Sequence, residues 1–283
     1  PGLVMLRLTG FGQTGPYANE PGFGTIIEAM SGFAEMTGEA DGPPTLPQFA
    51  LADSVSGLYA TAAIMFALHH RNGAGHGKGQ VIDVAIWESL FSVLGPNATV
   101  LALTGKPPTR MGNRVPTSAP RNTYKTRDGR WIVIAGATQT TARRLLNVVG
   151  GKALVEDPRF ATNMLRVENV AALDAAIGGW MGRHSFDEVQ AILKQNEVPV
   201  GPINSIADIA ADPHAKARHM IVTAPDDDKG RLPMEGVFPR LLDTPGRVEH
   251  AGKAMGADNR DVFIERLGLS PERFAALEKD GII

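Results

Sequence analysis

The sequence predicts an α/β fold, and three observations carry that reading. An apolar run, Leu3 to Leu8, feeds the loop Thr9-Gly10-Phe11-Gly12, the pattern of a buried strand entering a ligand-facing junction. The glycine-rich stretch Gly73 to Gln80 precedes a second strand-like run, Val81 to Ala85, and an apolar helical pattern around Trp87 to Leu94 follows it. Between the two runs a long helical pattern starts at Asp53 and continues toward His70. Strands alternating with helices in this order belong to α/β architecture.

Taken in order, Gly15-Pro16 and Pro21-Gly22 punctuate a loop over 13–24, and Thr25 to Met36 reads as a helix ending before Gly38. Gly42-Pro43-Pro44 breaks the chain before Phe49-Ala50-Leu51-Ala52 leads to Asp53 at a helix start. Gly105 to Pro120 holds four prolines and few apolar residues in succession, so it reads as a linker or ordered loop between lobes. Beyond it, Asn122–Thr126 and Trp131–Ala135 flank Arg127-Asp128-Gly129-Arg130. Asp-Gly tolerates the positive φ angles of a hairpin turn. Helices are predicted over Thr138 to Val149 with a stop at Gly150, over Val167 to Gly182, and after Ser185, where Glu188 completes a capping box. Glu197 to Ile203 alternates as a short strand, and Ser205 with Asp208 opens another helix. Ser270, Pro271 and Gly281 read as N-cap, first turn and stop of a last helix. The domain scheme is a large domain over 1–95, a linker over 96–111, a small α+β domain over 112–204, and a linker with a return to the large domain over 205–283.

At 283 residues, with 43% hydrophobic and 20% charged, the chain can bury a sizeable core and is not disordered as a whole. A net charge of −2 gives no pull toward nucleic acid. The absence of cysteine excludes disulfides, thiolate metal sites and a cysteine nucleophile. The longest apolar run, Tyr59 to Leu68, stops at His69, short of the roughly 20 residues that cross a bilayer. The expectation is a soluble, cytoplasmic protein with no membrane partner. The chain opens on Pro1-Gly2 without an initiator methionine and carries no visible secretory signal.

Among candidate chemical groups, Asp53 stands first. Asp is a leading N-cap residue, so a cap role is the plain alternative to a catalytic one. The two are compatible, because a helix N-terminus favours an ionised carboxylate and so a charged nucleophile. Phe11-Gly12-Gln13-Thr14-Gly15-Pro16-Tyr17 reads either as a ligand loop, with glycines admitting backbone N–H groups to an anion, or as a tight connection with Tyr17 packed on the body. His69, His70 and His76 lack the spacing of a metal site, and charge at the end of the Asp53 helix suits its dipole; no metal is expected. Ser54 and Ser56 lack a nucleophile elbow, and Lys78 and Arg71 read as solvated charge.

Thr9-Gly10-Phe11-Gly12-Gln13-Thr14-Gly15-Pro16-Tyr17, Pro21-Gly22-Phe23, Met30-Ser31-Gly32, Thr37-Gly38 and Asp41-Gly42-Pro43-Pro44 together resemble the class III CoA-transferase (CaiB/BaiF) family. Its branches include formyl-CoA transferase, carnitine CoA-transferase and α-methylacyl-CoA racemase. The resemblance continues through Ala52-Asp53, Gly57, Gly77 to Val84, Gly112-Asn113-Arg114, Ala119-Pro120 and Asp128-Gly129. Asp157 to Phe160, Val198 to Asn204, Asp212-Pro213-His214 and the closing Gly268 to Ile283 extend it over essentially the whole chain.

The resemblance implies a Rossmann-like large domain, a smaller α+β domain and an interlocked homodimer. It implies that Asp53 attacks an acyl-CoA thioester, giving a mixed anhydride and free CoA thiolate, with an aspartyl-CoA thioester on the way to the acceptor carboxylate. Coenzyme A enters as acyl-CoA substrate, and its partner is a carboxylic acid whose identity stays open: formate, succinate, oxalate or larger. Gly12, Gln13, Phe23 and Gly24 are expected to contact this substrate, and Pro116, Thr117, Ser118 and Ala119 to form a lid that is stiffer than a glycine run. Phe23 stands where the racemase branch has an acid/base histidine, which argues for transfer. The family begins with a further nucleotide-binding portion that this chain lacks: it lies outside this sequence, a separate polypeptide supplies it, or the chain is a non-catalytic remnant. The rival readings are a racemase or isomerase and a non-catalytic subunit of a heteromeric enzyme.

Overall fold

The two apolar runs flanking the first helices form strands β1 (Met5–Thr9) and β2 (Val81–Ala85). They pair in parallel from Met5↔Val81 to Thr9↔Ala85, which requires a long crossover between them. That crossover holds helices α1 (Gly24–Met30), α2 (Phe33–Met36) and α3 (Leu51–Asn72). The computed structural model describes residues 1–136 and 138–283. These divide into two compact units, Pro1–Pro202 and Ile203–Ile283.

Three expectations need correction in this region. The Thr25–Met36 helix is two helices, because Gly32 adopts a positive φ of 93° between them. Strand β1 is largely exposed, since β2 is its sole partner among the described residues. Helix α3 starts at Leu51, ahead of Asp53, and its 22 residues are long and apolar enough, by length and composition, to cross a membrane. In this unit α3 buries Ala52, Ser56, Ala60 and Ala67. His69, His70 and Arg71 occupy its last turn, where basic side chains suit the helix dipole.

Helix α4 (Ile86–Ser92) follows β2 directly, and α5 (Asn97–Thr104) ends on Gly105. Helix α5 falls inside the stretch expected as a linker. A core of Ile27, Ala52, Ile86 and Leu90 joins α1, α3 and α4, with Phe11, Phe33, Leu51 and Trp87 against it.

A second, larger core lies farther along the same unit. Strands β3 (Arg121–Lys125), β4 (Trp131–Ala135) and β5 (Val200–Pro202) form an antiparallel sheet. The Asp-Gly turn lies between β3 and β4 as expected. Helices α6 (Gln139–Val155), α7 (Asn163–Glu168), α8 (Val170–Met181) and α9 (Phe186–Gln195) accompany the sheet. Ile132, Ile134, Leu145, Leu173, Ile177, Met181 and Leu193 are sealed between them. Helix α6 runs past the predicted stop and kinks at Gly151, whose φ of 60° no helix accommodates. Ser185 and Glu188 form the predicted capping box of α9. Asp174 on α8 accepts from Arg114 Nε (2.8 Å), Asn122 Nδ2 (2.8 Å) and Tyr124 OH (2.6 Å). Burial and the Asp174 carboxylate push the Tyr124 phenol well above its ordinary range.

The unit Ile203–Ile283 holds α10 (Ile206–Ala211), with the Ser205–Asp208 capping box, and α11 (Pro213–Ala217). A hairpin of β6 (Ile221–Asp226) and β7 (Gly230–Glu235) follows, which the sequence reading did not find. Helix α12 (Pro271–Lys279) closes the chain with Ser270 accepting from Arg273 N–H.

Candidate active site

Asp53 lies in the first turn of α3, where the N-cap is Ala50, which has no capping side chain. The capping role weighed for Asp53 therefore falls elsewhere. Glu28, on α1, reaches across and accepts the Ala52 N–H at Oε1 (3.2 Å). The Asp53 carboxylate is left exposed in a cleft of ≈ 550 Å³. Phe23, Gly24, Glu28, Gln48 and Phe49 line this cleft with it.

The floor of the cleft depends on a missing side chain. A Cβ at Gly24 would lie 2.6 Å from Asp53 Oδ2 and 3.0 Å from Oδ1, inside van der Waals contact. Glycine at position 24 thus lets the carboxylate rest on the start of α1. Phe23 and Phe49 stand 76% and 65% exposed at the cleft, unusual for phenylalanine unless a ligand or a partner covers it.

The expected substrate contacts fall into two groups. Phe23 and Gly24 share the cleft with Asp53. Gly12 and Gln13 do not line it; they belong to a loop fixed from below. Gly12 N–H donates to Thr9 Oγ1 (2.9 Å) and Gln13 N–H to Asp83 Oδ2 (3.0 Å). Phe11, Tyr17 and Trp87 stack beside this loop with ring centroids 5.5 to 6.0 Å apart, so Tyr17 packs on the body while its loop faces outward.

The loop Pro116-Thr117-Ser118-Ala119 is tied to α7. Ala119 N–H donates to Asn163 Oδ1 (3.2 Å), Asn163 Nδ2 to Thr117 O (2.9 Å), and Arg166 Nε to Ala119 O (2.8 Å). Arg166 is wholly buried, and burial lowers its pKa.

Other candidates have structural partners. Ser56 Oγ donates to Ala52 O (2.8 Å), and Ser92 Oγ to Tyr59 OH (2.8 Å). Arg71 donates to Gly2 O (3.2 Å). Among the described residues, no group of three or more His, Asp or Glu side chains is placed to hold a metal ion. Sequence reasoning missed Glu28 and Phe49. The available signal was a lone acid inside the apolar run Thr25–Met30, four residues after Gly24 and so on its helix face.

The site of this α/β chain is thus an exposed aspartate in the first turn of a helix, beside glycine and aromatic side chains. Residues 1–259 match the family described as CoA-transferase family III, and the chain belongs to that family of enzymes. It is 40% identical over its whole length to the succinyl-CoA–D-citramalate CoA-transferase of Chloroflexus aurantiacus, covering 70% of that protein. It is 34% identical to the α subunit of the succinyl-CoA–L-malate CoA-transferase of Chloroflexus aurantiacus, again over all of the chain and 66% of the relative. With the succinate–glutarate CoA-transferase of Agrobacterium fabrum it shares 35% identity over 94% of the chain and 66% of the relative. The chain thus spans about two thirds of the length of these relatives. A crystal structure of a CaiB/BaiF family protein from Brucella suis superposes with a TM-score of 0.78 at 37% identity, over 94% of this chain and 68% of the other.

Proposed function

We propose that the chain forms the nucleophile-bearing part of an acyl-CoA:carboxylate CoA-transferase that uses succinyl-CoA as donor and a small dicarboxylic acid as acceptor. The observation that carries this reading is the Asp53 carboxylate, exposed in a cleft and resting on Gly24. The substrate class is drawn from the names of the citramalate, malate and glutarate enzymes.

An Asp53 oxygen attacks the thioester carbon, the C–S bond breaks, and its electron pair leaves on the CoA sulfur as thiolate. The thiolate then attacks the Asp53 carbonyl of the mixed anhydride and expels the donor acid as carboxylate, leaving an aspartyl-CoA thioester. The acceptor carboxylate repeats the first attack on that thioester, and CoA thiolate closes the cycle on the acceptor's acyl carbon, freeing Asp53. Dividing one exchange into acyl transfers lowers each barrier. Backbone N–H groups beside the cleft, other than those of Gly12 and Gln13, which are already bonded to Thr9 and Asp83, are the donors for the developing oxyanion. Phe23 has no titratable atom with which to serve a racemase.

In this reading Gly12, Gln13, Phe23 and Gly24 meet CoA or the acyl group, and the 116–119 loop lies over the site. The segment 1–95 is a Rossmann-like large domain completed by chain beyond this sequence, 96–111 a linker, 112–204 the small domain and 205–283 the return. The two separate cores of Pro1–Pro202 support the first division. The assembly is an interlocked homodimer in the cytoplasm. A second polypeptide is the alternative partner, motivated by the α and β subunit relatives at 34% and 33% identity.

The test is to incubate the protein with succinyl-CoA and hydroxylamine and to map adducts by mass. Modification at Asp53, with turnover abolished in Asp53→Ala, is expected. Unmodified Asp53 together with turnover in Asp53→Ala refutes the reading.

A further inference from the structure

We propose that Glu28 is the positioning residue of the nucleophile, holding the first turn of α3 in register with α1 so that Asp53 stays seated on Gly24. This inference rests on the reading of Asp53 given above.

Glu28 is 3% exposed on α1, and a carboxylate is rarely buried without a specific partner. Its partner is the Ala52 N–H, one of the orphan donors that begin every helix. A local Ser or Asp at the N-cap would satisfy such a donor, but Ala50 has no side chain to do so. The acceptor comes instead from a different helix, so the bond couples α1 to α3. Gly24 and Glu28 are four residues apart on α1 and share a face. Ala52 and Asp53 are consecutive on α3. Two adjacent points of one helix are therefore gripped by two stacked points of the other: Glu28 on Ala52, Gly24 beneath Asp53. Releasing the first grip frees α3 to slide or rotate at the second, where the clearance is already less than a carbon's contact distance. Glu28 also lines the cleft, and its role is to act through Asp53, with no bond made to the acyl group.

The experiment compares the complete natural polypeptide with Glu28→Ala, Glu28→Asp and Glu28→Gln, measuring kcat, KM for succinyl-CoA and the rate of Asp53 modification. Because a displacement on the order of 1 Å at a reacting group can cost about 100-fold, Glu28→Ala is expected to lower kcat by about 10- to 100-fold while KM stays within about threefold. Glu28→Asp keeps a carboxyl group but falls short of Ala52, and is expected to match Glu28→Ala. Glu28→Gln retains an amide oxygen for the same N–H and is expected to recover kcat to within about fivefold of wild type. Should Glu28→Ala not fold, Glu28→Asp decides. Wild-type kcat in Glu28→Ala or Glu28→Asp, a change in KM alone, or no recovery in Glu28→Gln overturns the proposal. Modified Asp53 in the wild type alongside normally active Glu28 variants sinks this inference and leaves the nucleophile standing; unmodified Asp53 in the wild type sinks the nucleophile itself.

Discussion

Between Gly24 and Asp53 there is no room for one more carbon, and that makes Gly24 a sensitive position beside the proposed nucleophile. In Gly24→Ala the new Cβ meets Asp53 Oδ2 at 2.6 Å, well inside the usual non-bonded separation of about 3.5 Å, so the carboxylate or the α3 start must move. The substitution sits at a helix start where alanine is a good helix former, and the fold should tolerate it. Since misplacing a reacting group costs far more in rate than in binding, kcat is expected to fall about 100-fold, with KM for succinyl-CoA changed less than about threefold. Steady-state kinetics at matched thermal stability checks this, and an active Gly24→Ala with unchanged kcat argues against a seated nucleophile. That an aspartate stands at the start of a long helix was legible in the sequence, because Asp53 opens a long apolar helical pattern; its proposed role as nucleophile came from the family resemblance. Glu28 was not: one acid among Thr25 to Met30 reads as the solvent side of a helix, and only the three-dimensional path of α3 shows that side to be buried.

Among the elements, the β3–β4 turn and the start of α9 are stitched together by Asp128. Its Oδ1 accepts from Thr126 Oγ1 (2.6 Å) and from Phe186 N–H (3.0 Å), and Arg130 lies 3.6 Å over the Phe186 ring. The Thr126 hydroxyl and then the Phe186 N–H hold the Asp128 carboxyl below its ordinary pKa of 3.8. A carboxyl held low when folded contributes stability that is complete above the unfolded value and is lost as pH falls through the folded one. Wild type is therefore expected to melt above Asp128→Asn at neutral pH, by on the order of a few degrees, and the gap to close as pH drops below 3.8. Thermal melts of both proteins across that range check it; a gap that persists into strong acid would falsify the carboxylate's role. Glu188, also held low by the Ser185 N–H, is present in both proteins and cancels in the difference. This turn was readable from Asp-Gly between two strand-like runs, as were the capping box at Ser185 and the helix start at Ser205. Elements with weaker punctuation were not. Helix α5 begins after Gly95-Pro96 and carries no polar stripe. The β6–β7 hairpin turns on Asp226, whose side chain accepts from Asp228 N–H (3.0 Å) and Lys229 N–H (2.8 Å); in sequence, the acidic run Asp226-Asp227-Asp228 looks like plain solvated surface.

For the molecule as a whole, the informative surface is α3. Leu58, Met65 and Phe66 fall at i, i+7 and i+8, one helix face, yet Leu58 and Phe66 are 74% and 73% exposed. Fully burying a side chain of this size is worth about 1.5–3 kcal/mol, so an uncovered stripe favours association strongly. The sequence reading measured only the run from Tyr59 to Leu68 and found it too short for a membrane span, whereas the whole helix Leu51–Asn72 passes that length and composition; apolar residues all round a helix suit core, span or interface alike. The chain covers about two thirds of its relatives, so the natural polypeptide is the object to measure. Its native mass is expected to be that of two identical copies, and Leu58→Lys with Phe66→Lys is expected to shift the population toward single copies, because two lysines on one face carry charge that burial opposes. A second, different polypeptide in the wild-type complex would favour the paired-subunit arrangement instead. A wild-type protein that stays a single copy at micromolar concentration, with Phe66 open to solvent quenchers, would remove the case for any partner on this helix.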